Sequence, residues 1–117
     1  MSHVRLRTVS LRLRRITFFV EDLDEATALY RDTIGLRVAD IRTGWSAFSV
    51  APNVEIAFHK GKGRNPRLEF VTDQALSAVR LSLNEKGVRL GPIKELRGRK
   101  VCNGKDRNGN TIQITRE

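Results

Sequence analysis

The inventory of nucleophiles and soft metal ligands is small: one cysteine, Cys102, and two histidines, His3 and His59, in 117 residues. Cys102 falls between Lys100 and Lys105. A reactive thiol there needs a neighbouring base or a helix N-terminus to hold the thiolate, and the sequence supplies neither. It reads as a buried, inert cysteine. One cysteine closes no internal disulfide, which is compatible with a reducing compartment. Gly61 and Gly63, interleaved with Lys62 and Arg64, have the look of a phosphate loop. The full pattern is missing, and the stretch leads into a strand instead of a helix, so it is taken as a connector.

Charge gives a broader signal. The formal net charge is +9, from 22 basic and 13 acidic residues. Five arginines precede the first acid, Glu21, and Lys60, Lys62, Arg64 and Arg67 cluster in the middle of the chain. That balance favours anionic partners, although an arginine-rich surface also serves solubility alone. No apolar run approaches the roughly 20 residues that span a bilayer, and no hydrophobic signal core is present. The expectation is a soluble, cytoplasmic protein without a membrane partner.

The elements that would position any site come twice. Arg15-Ile16-Thr17-Phe18 and Gly35-Leu36-Arg37-Val38 return as Arg67-Leu68-Glu69-Phe70 and Gly87-Val88-Arg89-Leu90, both displaced by 52 residues. Residues 15–20 are strand by their β-branched and aromatic content. Asp22, with Glu25 three residues on, starts a helix over about 23–33, with Leu23, Ala26, Tyr30 and Ile34 inward and Gly35 as its stop. Strands follow at 36–42, 45–50 and 54–60. Residues 61–66 form a linker with two glycines and a proline. In the second copy Asp73 is expected to cap a helix over about 74–86, with Leu76, Val79 and Leu83 inward. Strands follow at 88–90, near 93–96, at 100–103 and at 111–115, the last after the turn Asp106-Arg107-Asn108-Gly109-Asn110. Residues 1–13 form a basic arm outside the repeat and carry no assigned chemistry. Residues 14–117 read as one α+β domain of two tandem βαβββ modules, about 15–60 and 67–117.

This order, with Val20-Glu21-Asp22-Leu23-Asp24, Leu29-Tyr30-Arg31-Asp32-Thr33-Ile34-Gly35-Leu36 and the closing Asp106 to Ile114 turn and strand, resembles the vicinal oxygen chelate superfamily. That group includes glyoxalases, bleomycin-resistance proteins and extradiol dioxygenases. The resemblance covers about 14–117 and implies a curled mixed sheet around a concave pocket. It further implies a divalent metal held by the first and last strand of each module. Residue by residue those positions are Arg15 and Glu55, then Arg67 and Gln113, with Pro66 as the alternative to Arg67. Alternation along the strands agrees, leaving Arg15, Thr17 and Phe19, and Glu55, Ala57 and His59, on the face away from the helix.

Arginine only donates and proline has no ligating side chain, so of the implied metal set only Glu55 and a weak amide, Gln113, remain. His59 lies four residues from Glu55, roughly 13 Å along the strand, and does not repair it. No metal or other cofactor is expected. Arg15 and Arg67 are then candidates to hold an anionic small molecule. The competing reading is internal ion pairing, Arg15 with Glu55 or Arg67 with Glu69. Trp45, following Gly44 at a turn, is placed to meet a ligand or a second subunit. Phe19, Phe48 and Phe58 are core or pocket aromatics.

The resulting expectation is a metal-independent small-molecule-binding protein, homodimeric, with Arg15, Thr17, Phe19, Trp45, Glu55, Arg67 and Gln113 at the ligand. The alternative is a metal-dependent lyase, isomerase or dioxygenase of the same superfamily, with Glu55 as the best candidate base. Whether the chain is catalytic stays open. Nucleic-acid binding ranks third: the charge suits it, but no RNA-recognition run, zinc-finger spacing or strand-borne aromatic pair supports it.

Overall fold

Asp22 accepts a hydrogen bond from the Glu25 N–H at 3.0 Å and starts the first helix as the sequence predicts. The computed structural model describes residues 8–117, so His3 and the first part of the basic arm lie outside the described residues. Two compact units divide the chain: Arg14–Arg67, and Leu68–Glu117 with the described residues that precede Arg14.

The first unit runs β1 (Arg12–Val20), α1 (Leu23–Ala28), a π-helical turn (Leu29–Thr33), β2 (Arg37–Arg42), β3 (Trp45–Ala51) and β4 (Val54–Lys60). Its strand order is β2-β3-β4-β1. β1 and β4 are parallel, and the other two pairs are antiparallel. The helix packs on one face through Tyr30, whose ring lies 4.6 Å from that of Phe58 and 6.3 Å from that of Phe48. Phe48 and Phe58 are buried, as core aromatics should be.

One inward position differs from expectation. Ile34 is 52 % exposed, because the Ile34 N–H bonds to the Leu29 carbonyl five residues back, at 2.8 Å. That wider turn breaks the 3.6-residue phase and swings Ile34 off the buried stripe. Gly35 then ends the segment at φ +83°, a conformation glycine adopts without strain.

The second unit contains β5 (Arg67–Thr72), α2 (Leu76–Glu85), β6 (Arg89–Leu90), β7 (Lys94–Leu96), β8 (Arg99–Lys105) and β9 (Thr111–Arg116). Its order is β5-β9-β8-β6, with β7 also paired to β8. Its core joins Leu76, Val79, Leu90, Cys102 and Ile114. Cys102 is fully buried, and burial pushes its thiol pKa up, against a smaller opposing pull from Arg80. The apolar alternation of β9 and the i, i+3, i+7 pattern of α2 account for this layer.

Asp73 does not cap α2, which begins later, at Leu76 after Ala75, with no side-chain cap. The intervening residues are engaged elsewhere. Thr72 Oγ1 accepts from the Gln74 N–H at 3.1 Å and donates to the Ser10 carbonyl at 2.9 Å. The Gln74 side chain accepts from the Ser10 N–H at 2.9 Å and donates to the Thr8 carbonyl at 3.0 Å. Val9 and Leu11 pack against the core of this unit. The segment just before β1 is thus tied to the end of β5 and to Gln74 by bonds between side chains and its backbone, and by apolar contacts.

Among the described residues no helix is long and apolar enough to cross a membrane.

Candidate functional site

The face of the first unit away from α1 is a grid set by strand register. Pairing aligns Arg15 with Glu55, Thr17 with Ala57 and Phe19 with His59 between β1 and β4. Between β4 and β3 it aligns Glu55 with Ser49, Ala57 with Ala47 and His59 with Trp45. Arg42 of β2 lies beside Trp45. Side chains two apart on a strand share a face, so three rows cross the strands about 7 Å apart. One row is charged, with Arg15 and Glu55. The middle row is small and buried, with Thr17, Ala57 and Ala47 at 0 %, 0 % and 1 % exposure. The third is aromatic: Phe19, His59 and Trp45.

Arg15 joins the outer rows. Its Nε and Nη2 both donate to Glu55 Oε1, at 3.0 and 2.9 Å, and its guanidinium carbon lies 5.3 Å from the centroid of the Trp45 ring. The Arg15 and Glu55 side chains are 21 % and 28 % exposed, so the contact is partly desolvated. Arg42 stands 5.6 Å from the same indole and forms an ion pair with Asp40, Nε to Oδ2 at 2.9 Å.

The other end of the aromatic row is also flanked by cations. Around the Phe19 ring, the guanidinium carbon of Arg64 is at 4.9 Å and that of Arg67 at 6.0 Å. Gly61 lies against this ring, since a Cβ there would sit 3.3 Å from Phe19 Cδ1. His59 lies between the flanking aromatics, with ring centroids 5.6 Å from Phe19 and 6.2 Å from Trp45. Its Nδ1 is 2.8 Å from the Lys60 carbonyl, which can only accept, so Nδ1 is the donor of that bond.

Of the residues singled out by sequence, Arg15, Thr17, Phe19, Trp45 and Glu55 therefore share one face, and Arg67 reaches Phe19. Phe70 packs into the core of the second unit, so alternation along β5 puts Arg67 and Glu69 on the opposite face, and Pro66 precedes the strand. Gln113 belongs to the second unit, on β9 opposite Asn103. The internal pairing of Arg15 with Glu55 is what the structure contains. Arg42 and Arg64 are the neighbours that sequence reasoning missed, and His59, which alternation had already placed on this face, joins Phe19 and Trp45. The expected lack of a strand-borne aromatic pair is also corrected, because Phe19, His59 and Trp45 are adjacent across three strands. Each lies on a different strand, so only register brings them together.

No family model matches the sequence, and no curated protein matches it. Solved structures do. A glyoxalase/bleomycin resistance protein/dioxygenase superfamily member from Vibrio splendidus 12B01 aligns over 92 % of this chain and 98 % of its own, with TM-score 0.67 and 12 % identity. Methylmalonyl-CoA epimerase from Mycobacterium tuberculosis aligns over 89 % and 86 %, with TM-score 0.63 and 20 % identity. Homoprotocatechuate 2,3-dioxygenase from Arthrobacter globiformis aligns over 91 % of this chain and 36 % of its own, with TM-score 0.70 and 16 % identity. The chain has the fold of the glyoxalase/bleomycin resistance/dioxygenase superfamily.

The divalent metal implied by that superfamily does not fit the donor set here. Of the residues that the resemblance assigns to the metal, Arg15 and Arg67 have side chains that cannot ligate, and the Glu55 carboxylate is engaged by Arg15. Among the described residues no group of three or more His, Cys, Asp and Glu side chains is placed to hold a metal ion.

Proposed function

We propose that this protein with the glyoxalase/bleomycin resistance fold binds an anionic small molecule without a resident metal, using Arg15 and Arg67 on the face away from α1. The observation that carries this reading is the double restraint on Arg15 by Glu55 and Trp45. A guanidinium presents its N–H donors in a rigid planar fork. Held by an ion pair and an aromatic ring, it loses little further freedom on meeting an anion, so more of the interaction appears as affinity. Arg67, beside Phe19, supplies a second cationic fork along the same face. Bidentate contact to a carboxylate or phosphate follows from that geometry.

The test pairs metal analysis with binding. Protein purified without chelator is expected to hold far less than one divalent ion per chain, and malonate is expected to bind it measurably by calorimetry. In the double variant Arg15→Gln/Glu55→Gln, which removes both partners of the ion pair at little cost to packing, malonate affinity should fall about tenfold or more. Stoichiometric metal, or unchanged affinity in a folded double variant, defeats the proposal.

A further inference from the structure

The helical segment of the first unit covers only part of its sheet. Tyr30 packs on Phe48 and Phe58, and Thr27 Oγ1 lies 3.0 Å from Ser46 Oγ in a hydrogen bond, so the segment rests on β3 and β4. β2 lies beyond it, exposed along its whole length. Register sets Val38 beside Phe48 and Ile41 beside Ser46, on the helix-bearing face, yet the two are 40 % and 49 % exposed. β2 is also an edge, since among the described residues it pairs with β3 alone. An edge strand whose apolar side chains are uncovered is a template for another strand.

The phase of its backbone is set by the turn. Arg42 and Trp45 pair across the two-residue turn Thr43-Gly44, and such a turn is closed by a hydrogen-bonded pair. The N–H and carbonyl of Arg42 therefore point to β3, and those of its neighbour Ile41 point outward. On the face away from the helix, Asp40 and Arg42 form an ion pair at 2.9 Å.

We propose that β2 pairs antiparallel with β2 of a second copy of this chain, about a two-fold axis at Ile41, making a closed dimer. In that register Ile41 exchanges two N–H to carbonyl bonds with Ile41 of the partner subunit, and the two side chains meet on the helix-bearing face. Asp40 then stands opposite the partner's Arg42, and Arg42 opposite the partner's Asp40. With the ion pair inside each chain, four charges alternate in sign around the axis. Shifting the axis by one residue sets Asp40 against the partner's Asp40, or Arg42 against the partner's Arg42, so the charges select one register and penalise its neighbours. The bulge between Val38 and Asp40 keeps the regular edge short, which suits a closed pair and opposes an open-ended ladder. The dimer does not depend on the anion site, and neither experiment decides the other.

The full chain is followed by sedimentation from about 1 to 100 µM near 0.1 M salt. A monomer–dimer equilibrium with nothing larger is expected. Asp40→Arg sets guanidiniums opposite one another and Arg42→Asp sets carboxylates opposite one another, so each should weaken its own dimer about tenfold or more. Mixed in equal amounts, the two variants should form a heterodimer about as tight as the wild type, because every cross-axis pair is again unlike. Both variants lack the ion pair within the chain, so its loss does not account for recovery on mixing. Ile41→Lys, which puts two ammonium groups at the axis on an exposed position, should also weaken the dimer about tenfold and keeps the test valid if a charge variant fails to fold by circular dichroism. A monomer throughout the range, an open-ended series of larger species, a dimer unmoved by these substitutions, or folded charge variants that do not recover on mixing overturns the inference.

Discussion

Arg15 directs two N–H groups at a single oxygen of Glu55, Oε1, across a parallel pair of strands, forty residues apart in the chain. With both side chains roughly three-quarters buried, the pair sits between the weak surface case and the costly fully buried one. Arg15→Ala alone leaves a partly buried carboxylate without this partner and should cost about 1–3 kcal/mol in urea unfolding. Glu55→Gln in the Arg15→Ala background should cost far less than in the wild type. A coupling energy near zero in that double-mutant cycle would show that the contact contributes nothing to stability.

Asp106 organises the turn between β8 and β9. Its side chain accepts from the Asn110 amide and from the N–H groups of Asn108 and Asn110, at 2.9 to 3.0 Å. These bonds, that from the Asn110 side chain first, hold its carboxyl below the usual aspartate range. A depressed folded-state pKa contributes stability that is present above the ordinary range and is lost as pH falls through the folded value. The thermal midpoint of Asp106→Asn should therefore lie below that of the wild type at neutral pH. The gap should close as the pH is lowered from the ordinary aspartate range through the folded value. A gap independent of pH would refute the assignment.

Cys102 should be silent towards thiol reagents in the folded protein and react fully on unfolding, because it is completely buried. Its raised pKa has the opposite pH consequence from that of Asp106. The stability it contributes is complete below the ordinary thiol range and falls as pH rises through the folded value. Cys102→Ala should lose less stability than the wild type between about pH 8 and 10, as measured by chemical unfolding. Rapid labelling of native protein would contradict the buried placement.

Gly104 lies where β6 presses on β8. A Cβ there would stand 1.9 Å from the Arg89 carbonyl oxygen and 2.8 Å from the Leu90 Cα, both backbone atoms without a rotamer to yield. Gly104→Ala should cost about 1–3 kcal/mol by forcing the strands apart. Gly109→Ala, at a turn position with φ +84°, tests backbone conformation instead of space. Wild-type stability in Gly104→Ala would mean the strands do not approach so closely.

Local chemistry carried much of the fold in plain view. Strand alternation, the Asp22 cap, the stop at Gly35 and the Asp106 to Asn110 turn each depend on a few neighbouring residues, so their spacing suffices to place them. The repeat displaced by 52 residues exposed the two-module plan for the same reason. The deviations arose where a distant partner competed with a local preference. Thr72 and Gln74 bind the backbone of Thr8 and Ser10 instead of opening α2 early, and a widened turn at Leu29 to Ile34 redirects a side chain that the helical period had placed inward.

Composition and order along the chain thus settled which side chains alternate and where the first helix stops. They could not say which residues on separate strands become neighbours. Register did that, putting His59 between Phe19 and Trp45 and Glu55 against Arg15, because hydrogen-bonded pairing aligns residues by backbone geometry and not by their distance in sequence.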